Sequence, residues 1–379
     1  MGENAVIRKI KVLIVDDSAL MRQLLSELLS HDPALEVIGV ASDPYMAWRK
    51  IQEVRPDVVT LDVEMPRMDG LTFLAQLMHT QPTPVVMISA LTEKGCETTL
   101  RALELGAVDF VTKPKIDIKS GTVELAEEII AKVKTAARAK LHLWQRGSRD
   151  GQLHCHTLRG GALLQSTHKV IAVGASTGGT EAIRMFLMAL PADSPGVVIA
   201  QHMPAKFTRS FAERLDNLCQ IRVREAQDGD RILPGHALIA PGNYHMQVRR
   251  SGAAYSVHVT MGEPVNRHRP SVDVLFHSCA HALGANAVGV IMTGMGDDGA
   301  RGLLAMHQAG APTVAQDEES CVVFGMPKAA IALGAVDEVV ALEQIPATVM
   351  RLLTAPRSSA SSPSPRGGDG VRGGARPPL

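Results

Sequence analysis

Three kinds of side chain that together can move an acyl group stand in the C-terminal half of the chain: Ser176, His202 and the neighbouring pair Asp297–Asp298. Acyl transfer needs a hydroxyl nucleophile, an imidazole to take its proton, and a carboxylate that fixes the imidazole tautomer and stabilises imidazolium. Ser176 lies in KVIAVGASTGGT, residues 169–180, where a short β-branched run turns through small residues into a helical pattern. Backbone N–H groups gather at such a helix start and favour developing negative charge. The glycines let a substrate backbone come close. The same stretch also suits a loop that turns the chain or holds a phosphate. It misses the dinucleotide fingerprint G-x-G-x-x-G, which needs glycine at 176. His245 also follows a strand and rivals His202, while His236 and His307 read as packing or surface residues. Spacing does not choose between Asp297 and Asp298. The order Ser, His, Asp differs from the Ser, Asp, His of α/β-hydrolases, so this would be another fold reaching the same chemistry.

A second constellation occupies the N-terminal third. Asp16 and Asp17 follow a first apolar run, Asp62 a third, Ser89 a fourth and Lys113 a fifth. Three carboxylates at one sheet edge repel one another unless a cation sits among them. Mg²⁺ fits, being hard, oxygen-loving and tolerant of phosphate and water ligands. Asp62 can then act as a carboxylate nucleophile toward a phosphoryl group. Lys113 would neutralise phosphoryl oxygens, and the Ser89 hydroxyl would hydrogen-bond one of them.

Alternating strands and helices must carry these residues. The first domain, residues 8–122, reads as strands 11–15, 36–40, 58–61, 84–89 and 108–111. Helices 19–30, 45–54, 71–79 and 93–105 alternate with them. Such β-then-α units imply a parallel sheet with helices on both faces, whose ligands bind beyond the carboxyl ends of the strands. Residues 123–140 carry one apolar face, for packing on the first domain, and a basic end formed by Lys132, Lys134, Arg138 and Lys140. Residues 141–168 lack periodicity, and 123–168 is assigned as helix and interdomain linker. The second domain, 169–355, reads as strands 169–173, 197–200, 237–239, 287–292 and 312–315, with helices 180–190, 206–218, 272–283, 303–308 and 329–333. Residues 246–259 alternate around Ser251-Gly252 as an antiparallel hairpin appended to this sheet. The tail, 356–379, is rich in Ser, Pro and Gly, sets Arg357, Arg366, Arg372 and Arg376 against Asp369, and is expected to be disordered. The fold class is thus α/β, with two doubly wound parallel-sheet domains.

Composition narrows the function classes. With 39 Lys+Arg against 39 Asp+Glu, the formal net charge is zero, against nucleic acid or an anionic membrane as main partner. Aromatics are only 3%, so the cores must be aliphatic. Five scattered cysteines without a C-x-x-C pair suggest reduced thiols in a cytoplasm. His154-Cys155-His156 are too close in sequence to share one tetrahedral metal site. No secretory signal or membrane-spanning run is present, so no membrane insertion is expected.

Residues 11–114, with VDDS, LDVEMPRMDG, ISA and DFVTKP in order, resemble a response-regulator receiver domain of flavodoxin-like fold. The resemblance implies phosphorylation of Asp62 by a histidine kinase, Mg²⁺ at Asp16, Asp17 and Asp62, and Ser89, Phe110 and Lys113 as switch residues. The Lys113–Pro114 bond is a candidate cis peptide. Residues 169–350, with GASTGGTEA, IAQHMP, LIAPGNYHM, RPSVDVLF, MTGMGDDGARG and VVFGMPKAA, resemble the catalytic domain of the bacterial chemotaxis protein-glutamate methylesterases. That resemblance aligns Asp298, rather than Asp297, with the family's catalytic acid. It points to Thr177 and the Met295 backbone N–H as oxyanion stabilisers, and to residues 269–273 as shaping the substrate cleft. It implies a serine hydrolase without a hydrolytic cofactor that demethylates glutamyl esters and deamidates glutamines on chemoreceptor helices. Its unphosphorylated receiver would lie across the catalytic rim. The competing expectation is a response regulator whose output domain only binds.

Overall fold

The structure is a computed structural model that describes residues 8–65, 68–113, 122–141, 169–252 and 254–354, the side chains of 122–124 excepted. Pro114, and with it the candidate cis bond, the stretch 142–168 and the tail lie outside the described residues.

The first domain runs β1 (Ile10–Val15), α1 (Ala19–Ser30), β2 (Leu35–Ala41), α2 (Pro44–Val54), β3 (Val58–Asp62), α3 (Gly70–Thr80), β4 (Val85–Ser89), α4 (Glu93–Glu104), β5 (Asp109–Thr112) and α5 (Thr122–Ala136). The sheet is parallel, in the order β2-β1-β3-β4-β5. β3 and β4 are buried at every position because helices cover both faces. Ser18, Asp43, Asp69 and Thr92 cap α1 to α4 by accepting from a backbone N–H three residues on. Ile129, Val133 and Ala136 of α5 share a core with Val12, Ile14, Val86 and Ile88, so this helix packs on the first domain. It ends at Ala136 instead of the expected Lys140, because the N–H groups of Arg138 and Ala139 reach back only three residues and tighten the last turn.

The second domain runs β6 (Val170–Ala175), α6 (Gly179–Met188), β7 (Gly196–Gln201), α7 (Phe207–Leu218), β8 (Arg222–Glu225), β9 (His236–Ile239), β10 (His245–Ser251), β11 (Ala254–Thr260), α8 (Val272–Leu283), β12 (Ala287–Ile291), α9 (Ala300–Gln308), β13 (Thr313–Gln316), α10 (Met326–Ala332), β14 (Glu338–Val340) and α11 (Ile345–Thr354). Seven parallel strands form one sheet, β14-β13-β12-β6-β7-β9-β8. The chain runs outward from β6 in one direction and from β12 in the other, which opens a crevice at their carboxyl ends. Ser176, His202 and Asp298 follow β6, β7 and β12, all on that rim.

The hairpin differs from expectation. β10 and β11 pair only with each other, as a separate two-stranded sheet. Met246, Val248 and Val257 bury their side chains in one cluster with Leu275, Phe276 and Cys279 of α8. An isolated hairpin needs such a cover, and here it comes from a helix face. Sequence patterning also passed over β8, β14 and α11. β8 is an edge strand reading RVRE in which only Val223 is fully buried, so it carries little apolar signal. Among the described residues no helix is long and apolar enough to cross a membrane.

α8 lies close against β6 because position 174 has no side chain. A Cβ at Gly174 would sit 2.1 Å from Val272 Cγ1 and 3.1 Å from Phe276 Cζ. Gly174→Val should therefore overpack this contact and destabilise the second domain by about 1–3 kcal/mol. Denaturant unfolding checks this, with the first domain's transition unchanged.

Candidate active site

The Ser176 turn is built from backbone constraints. The Ser176 N–H donates to Thr293 O at 3.0 Å, tying the turn to the loop after β12. The Ser176 carbonyl accepts from the Gly179 N–H at 2.7 Å and from Gln201 Nε2 at 2.9 Å. Gly178 takes φ +78°, and a Cβ there would lie 2.7 Å from Val322 Cβ, so only glycine fits. The His202 N–H donates to Ala175 O at 3.2 Å, fixing the start of the QHMP loop beside the serine turn.

The three side chains meet. Ser176 Oγ is 3.1 Å from His202 Nδ1, and His202 Nε2 is 2.8 Å from Asp298 Oδ2. Asp298, 1% exposed, is the carboxylate that meets His202, whereas its neighbour Asp297 is exposed. Asp298 Oδ2 also accepts from the Val272 N–H at 2.7 Å. Its Oδ1 accepts from Asn266 Nδ2 and Ser271 Oγ, both at 2.8 Å, and from the Asp273 N–H at 3.3 Å. Burial pushes the Asp298 carboxyl up, but His202, Asn266 and the N–H at the start of α8 more than offset it and hold it well below the usual carboxylate range. Asp298 is therefore ionised and can only accept, which places the imidazole proton on Nε2. The Nδ1 lone pair then faces the serine hydroxyl.

Within the stretch 269–273, expected to shape the substrate cleft, Ser271, Val272 and Asp273 build the cradle of this acid. Ser271 caps α8, and the helix start points its N–H groups at Asp298. His245, the rival histidine, is 4% exposed and bonds Glu263 O and the Ser271 N–H, a structural role away from Ser176.

Two contributors carried no sequence signal. Val265–His268 is a tight two-residue turn with reciprocal N–H···O bonds, and Asn266 and Arg267 take φ 51° and 68°. Asn266 Nδ2 bridges Asp298 and Asp273, donating to the latter at 2.7 Å. The His268 ring stacks on His202 with centroids 3.6 Å apart and planes at 11°. Burial, and then the charge on His202, push the His268 pKa down to about 3, so it is neutral at pH 7. Asn in a turn was the one available hint, but pattern reading has no means to see ring stacking.

The first domain covers this rim. Thr177 Oγ1 donates to Asp109 Oδ2 at 2.5 Å, and both residues are buried. Phe110 packs on Phe207 with centroids 4.3 Å apart, and the Lys132 ammonium lies 5.2 Å above Phe110. Thr135 contacts Met295 Sδ, Arg267 pairs with Glu127 at 3.2 Å, and Arg214 pairs with Glu104. Exposed pairs of the last kind contribute at most about 1 kcal/mol. The aromatic pair and the buried hydroxyl–carboxylate bond, at about 1–3 kcal/mol each, weigh more. Among the described residues nothing accepts from the Thr177 or Met295 backbone N–H.

At the other sheet edge, Asp16, Asp17 and Asp62 bring carboxylate oxygens within 4.8 Å of one another. Lys113 Nζ is 2.8 Å from Asp62 Oδ2 and 3.7 Å from Asp16 Oδ2. Burial raises the Asp62 pKa to about 6 against the pull of Lys113, and burial also raises that of Asp16. Asp16 Oδ2 is buried and has no hydrogen-bond partner, which fits a hard divalent cation there. The Ser89 hydroxyl accepts from Thr99 Oγ1 at 2.6 Å and reaches Gly95 O at 3.3 Å, so it faces α4.

Known proteins resemble both halves. Residues 171–349 match the family model for CheB methylesterase, and 12–120 match that for the response regulator receiver domain. A protein-glutamate methylesterase/protein-glutamine glutaminase from Geobacter metallireducens is 59% identical over 341 residues, 89% of this chain and 94% of its own. Its namesake from Salmonella typhimurium is 58% identical over 347 residues, covering 92% and 98%. The solved catalytic domain of Thermotoga maritima CheB methylesterase is 36% identical with a TM-score of 0.48, covering 49% of this chain and 99% of that one. The chain therefore belongs to the CheB methylesterase family, with a response regulator receiver domain ahead of its catalytic domain.

Proposed function

We propose that the chain is a phosphorylation-controlled protein-glutamate methylesterase and protein-glutamine glutaminase, acting in the cytoplasm on chemoreceptor helices during adaptation. The contact sequence Ser176–His202–Asp298 carries this reading. His202 Nδ1 takes the Ser176 proton as Oγ attacks the γ-carbonyl carbon of a glutamyl methyl ester. The carbonyl oxygen becomes an oxyanion beside the Thr177 and Met295 N–H groups. Asp298 keeps the new imidazolium oriented. The proton then passes from His202 to the departing methoxide, releasing methanol. Water, deprotonated by the same imidazole, opens the acyl-enzyme to glutamate. A glutamine follows the same path with ammonia leaving. A binding-only output would have no use for an ionised acid held under a histidine beside a serine.

The receiver, assigned to 8–122 with α5 packed on it, supplies control, and 169–355 supplies catalysis. Asp62 is the phosphoryl acceptor from a histidine kinase and is ionised above about pH 6. Asp16, Asp17 and Asp62 would hold Mg²⁺, which when bound neutralises phosphoryl oxygens. Phosphorylation adds up to about two negative charges beside Lys113. Through Ser89, Lys113 and Phe110, that shifts the receiver away from the rim.

Ser176→Ala should lower methanol release from methylated receptor membranes by about 10⁶-fold, the loss expected when a triad acts as a unit. Retention of near-parent rates would refute the nucleophile. Asp109→Ala removes the receiver's hold on Thr177 and should raise the rate of the unphosphorylated chain by about tenfold, from a hydrogen bond of this class. A lower rate would mean that the receiver assembles the site instead of covering it.

A further inference from the structure

A second concave surface lies on the far side of the triad acid. It has a volume of about 590 Å³ and is formed between β10, the 265–268 turn, α8 and the start of α9. Arg249, His277, His281 and Arg301 stand around it, all four exposed. Val265 and Val274 give it an apolar floor. Asp273 is its acidic lining residue. It is 5% exposed and already committed, accepting from the Gly302 N–H at 2.7 Å and from Asn266 at 2.7 Å. Asp228 feels the charge of Arg249, but it accepts from His258 and the Val259 N–H. Among the described residues no carboxylate pairs with Arg249 or Arg301. The cleft thus presents uncompensated positive charge over a surface that suits methylene groups. That is the complement of a row of glutamate side chains.

Its position sharpens the point. Asn266 lines the cleft and also donates to Asp298 Oδ1 at 2.8 Å, so the cleft begins one side chain beyond the triad acid. Among the described residues no receiver residue lines it, although the receiver touches Thr177 and Met295 on the other side of the triad. On a helix, residues three, four and seven apart lie on one face and rise about 1.5 Å per residue, so neighbouring glutamates of a substrate helix lie a few to about ten ångströms from the reacting one.

We propose that this cationic cleft is an exosite for the acidic flank of the substrate helix, engaging glutamates adjacent to the one being processed. This rests on the methylesterase reading, since each turnover of that reaction leaves a carboxylate on the substrate. The site binds glutamates already unmasked, draws the next ester toward Ser176, and stays open while the receiver covers the triad.

The test uses the full chain phosphorylated with a small phosphodonor. Arg249→Glu and Arg301→Glu together should raise KM for methylated receptor membranes about tenfold, with kcat unchanged, as expected for two exposed charge pairs reversed. Hydrolysis of a small chromogenic ester, which has no acidic flank, should stay at the parent rate, and the salt dependence of KM should weaken. Arg249→Gln with Arg301→Gln should fall between, which guards against a folding defect in the charge reversal. An unchanged KM in both variants would overturn the exosite. If the parent chain turns over the small ester but releases no methanol from receptors, the methylesterase reading falls instead. The exosite is then judged by the anisotropy of a labelled glutamate-rich helical peptide, which must bind the parent chain more tightly than the reversed variant.

Discussion

A buried negative charge governs the architecture of the catalytic half. Asp298 is 1% exposed, and an ionised carboxylate so placed is tolerable only if its oxygens are saturated with donors. Three of those donors come from one helix start: the Ser271 hydroxyl and the N–H groups of Val272 and Asp273. α8 must therefore arrive end-on at the rim. It can do so only by lying close over β6, which explains the bare backbone at Gly174. The remaining donors, Asn266 and His202, are brought in by a turn and by the loop after β7. Local order follows from electrostatic necessity: the groups that neutralise Asp298 also fix the carboxylate that His202 meets.

The receiver meets this arrangement through one short strand. β5 carries Asp109 and Phe110 side by side, one bonded to Thr177 and the other packed on the first residue of α7. Lys113, at the end of the same strand, holds Asp62. Three residues of near-extended chain thus stand between the partner of Asp62 and the contact on Thr177. β5 is anchored along its length to β4, with Met87 opposite Phe110 and Ser89 opposite Thr112. A displacement at the carboxyl end of β4 or β5 therefore has a short and stiff route to the catalytic rim.

Much of this was legible in the residues. Parallel strands buried on both faces write themselves as apolar runs, so the order of elements and the rim position of Ser176, His202 and Asp298 could be read from 169–173, 197–200 and 287–292. What escaped depended on tertiary contact. β8 hides because an edge strand with charged residues has no apolar run. The hairpin's partner was misjudged because alternation shows that a strand has a buried face but not whether helix or sheet covers it. Residues 269–273 carry an N-cap signature, yet what that helix start would point at was a matter of three-dimensional placement. Asn266 and His268 act through a bridge and a ring stack, and neither leaves a period or a spacing. The choice of Asp298 over Asp297 came from a family resemblance, and burial supplies its physical reason.

The account turns on how the His202 ring is held, with Nε2 protonated toward Asp298 and Nδ1 bare toward Ser176. Heteronuclear NMR of the full chain labelled with ¹⁵N-histidine reads that directly. It should show a proton on Nε2 and a bare Nδ1 for His202 at neutral pH, with the Nε2 proton shifted downfield and that shift lost in Asp298→Ala. A resting His202 protonated at Nδ1, or a signal indifferent to the loss of Asp298, would contradict it.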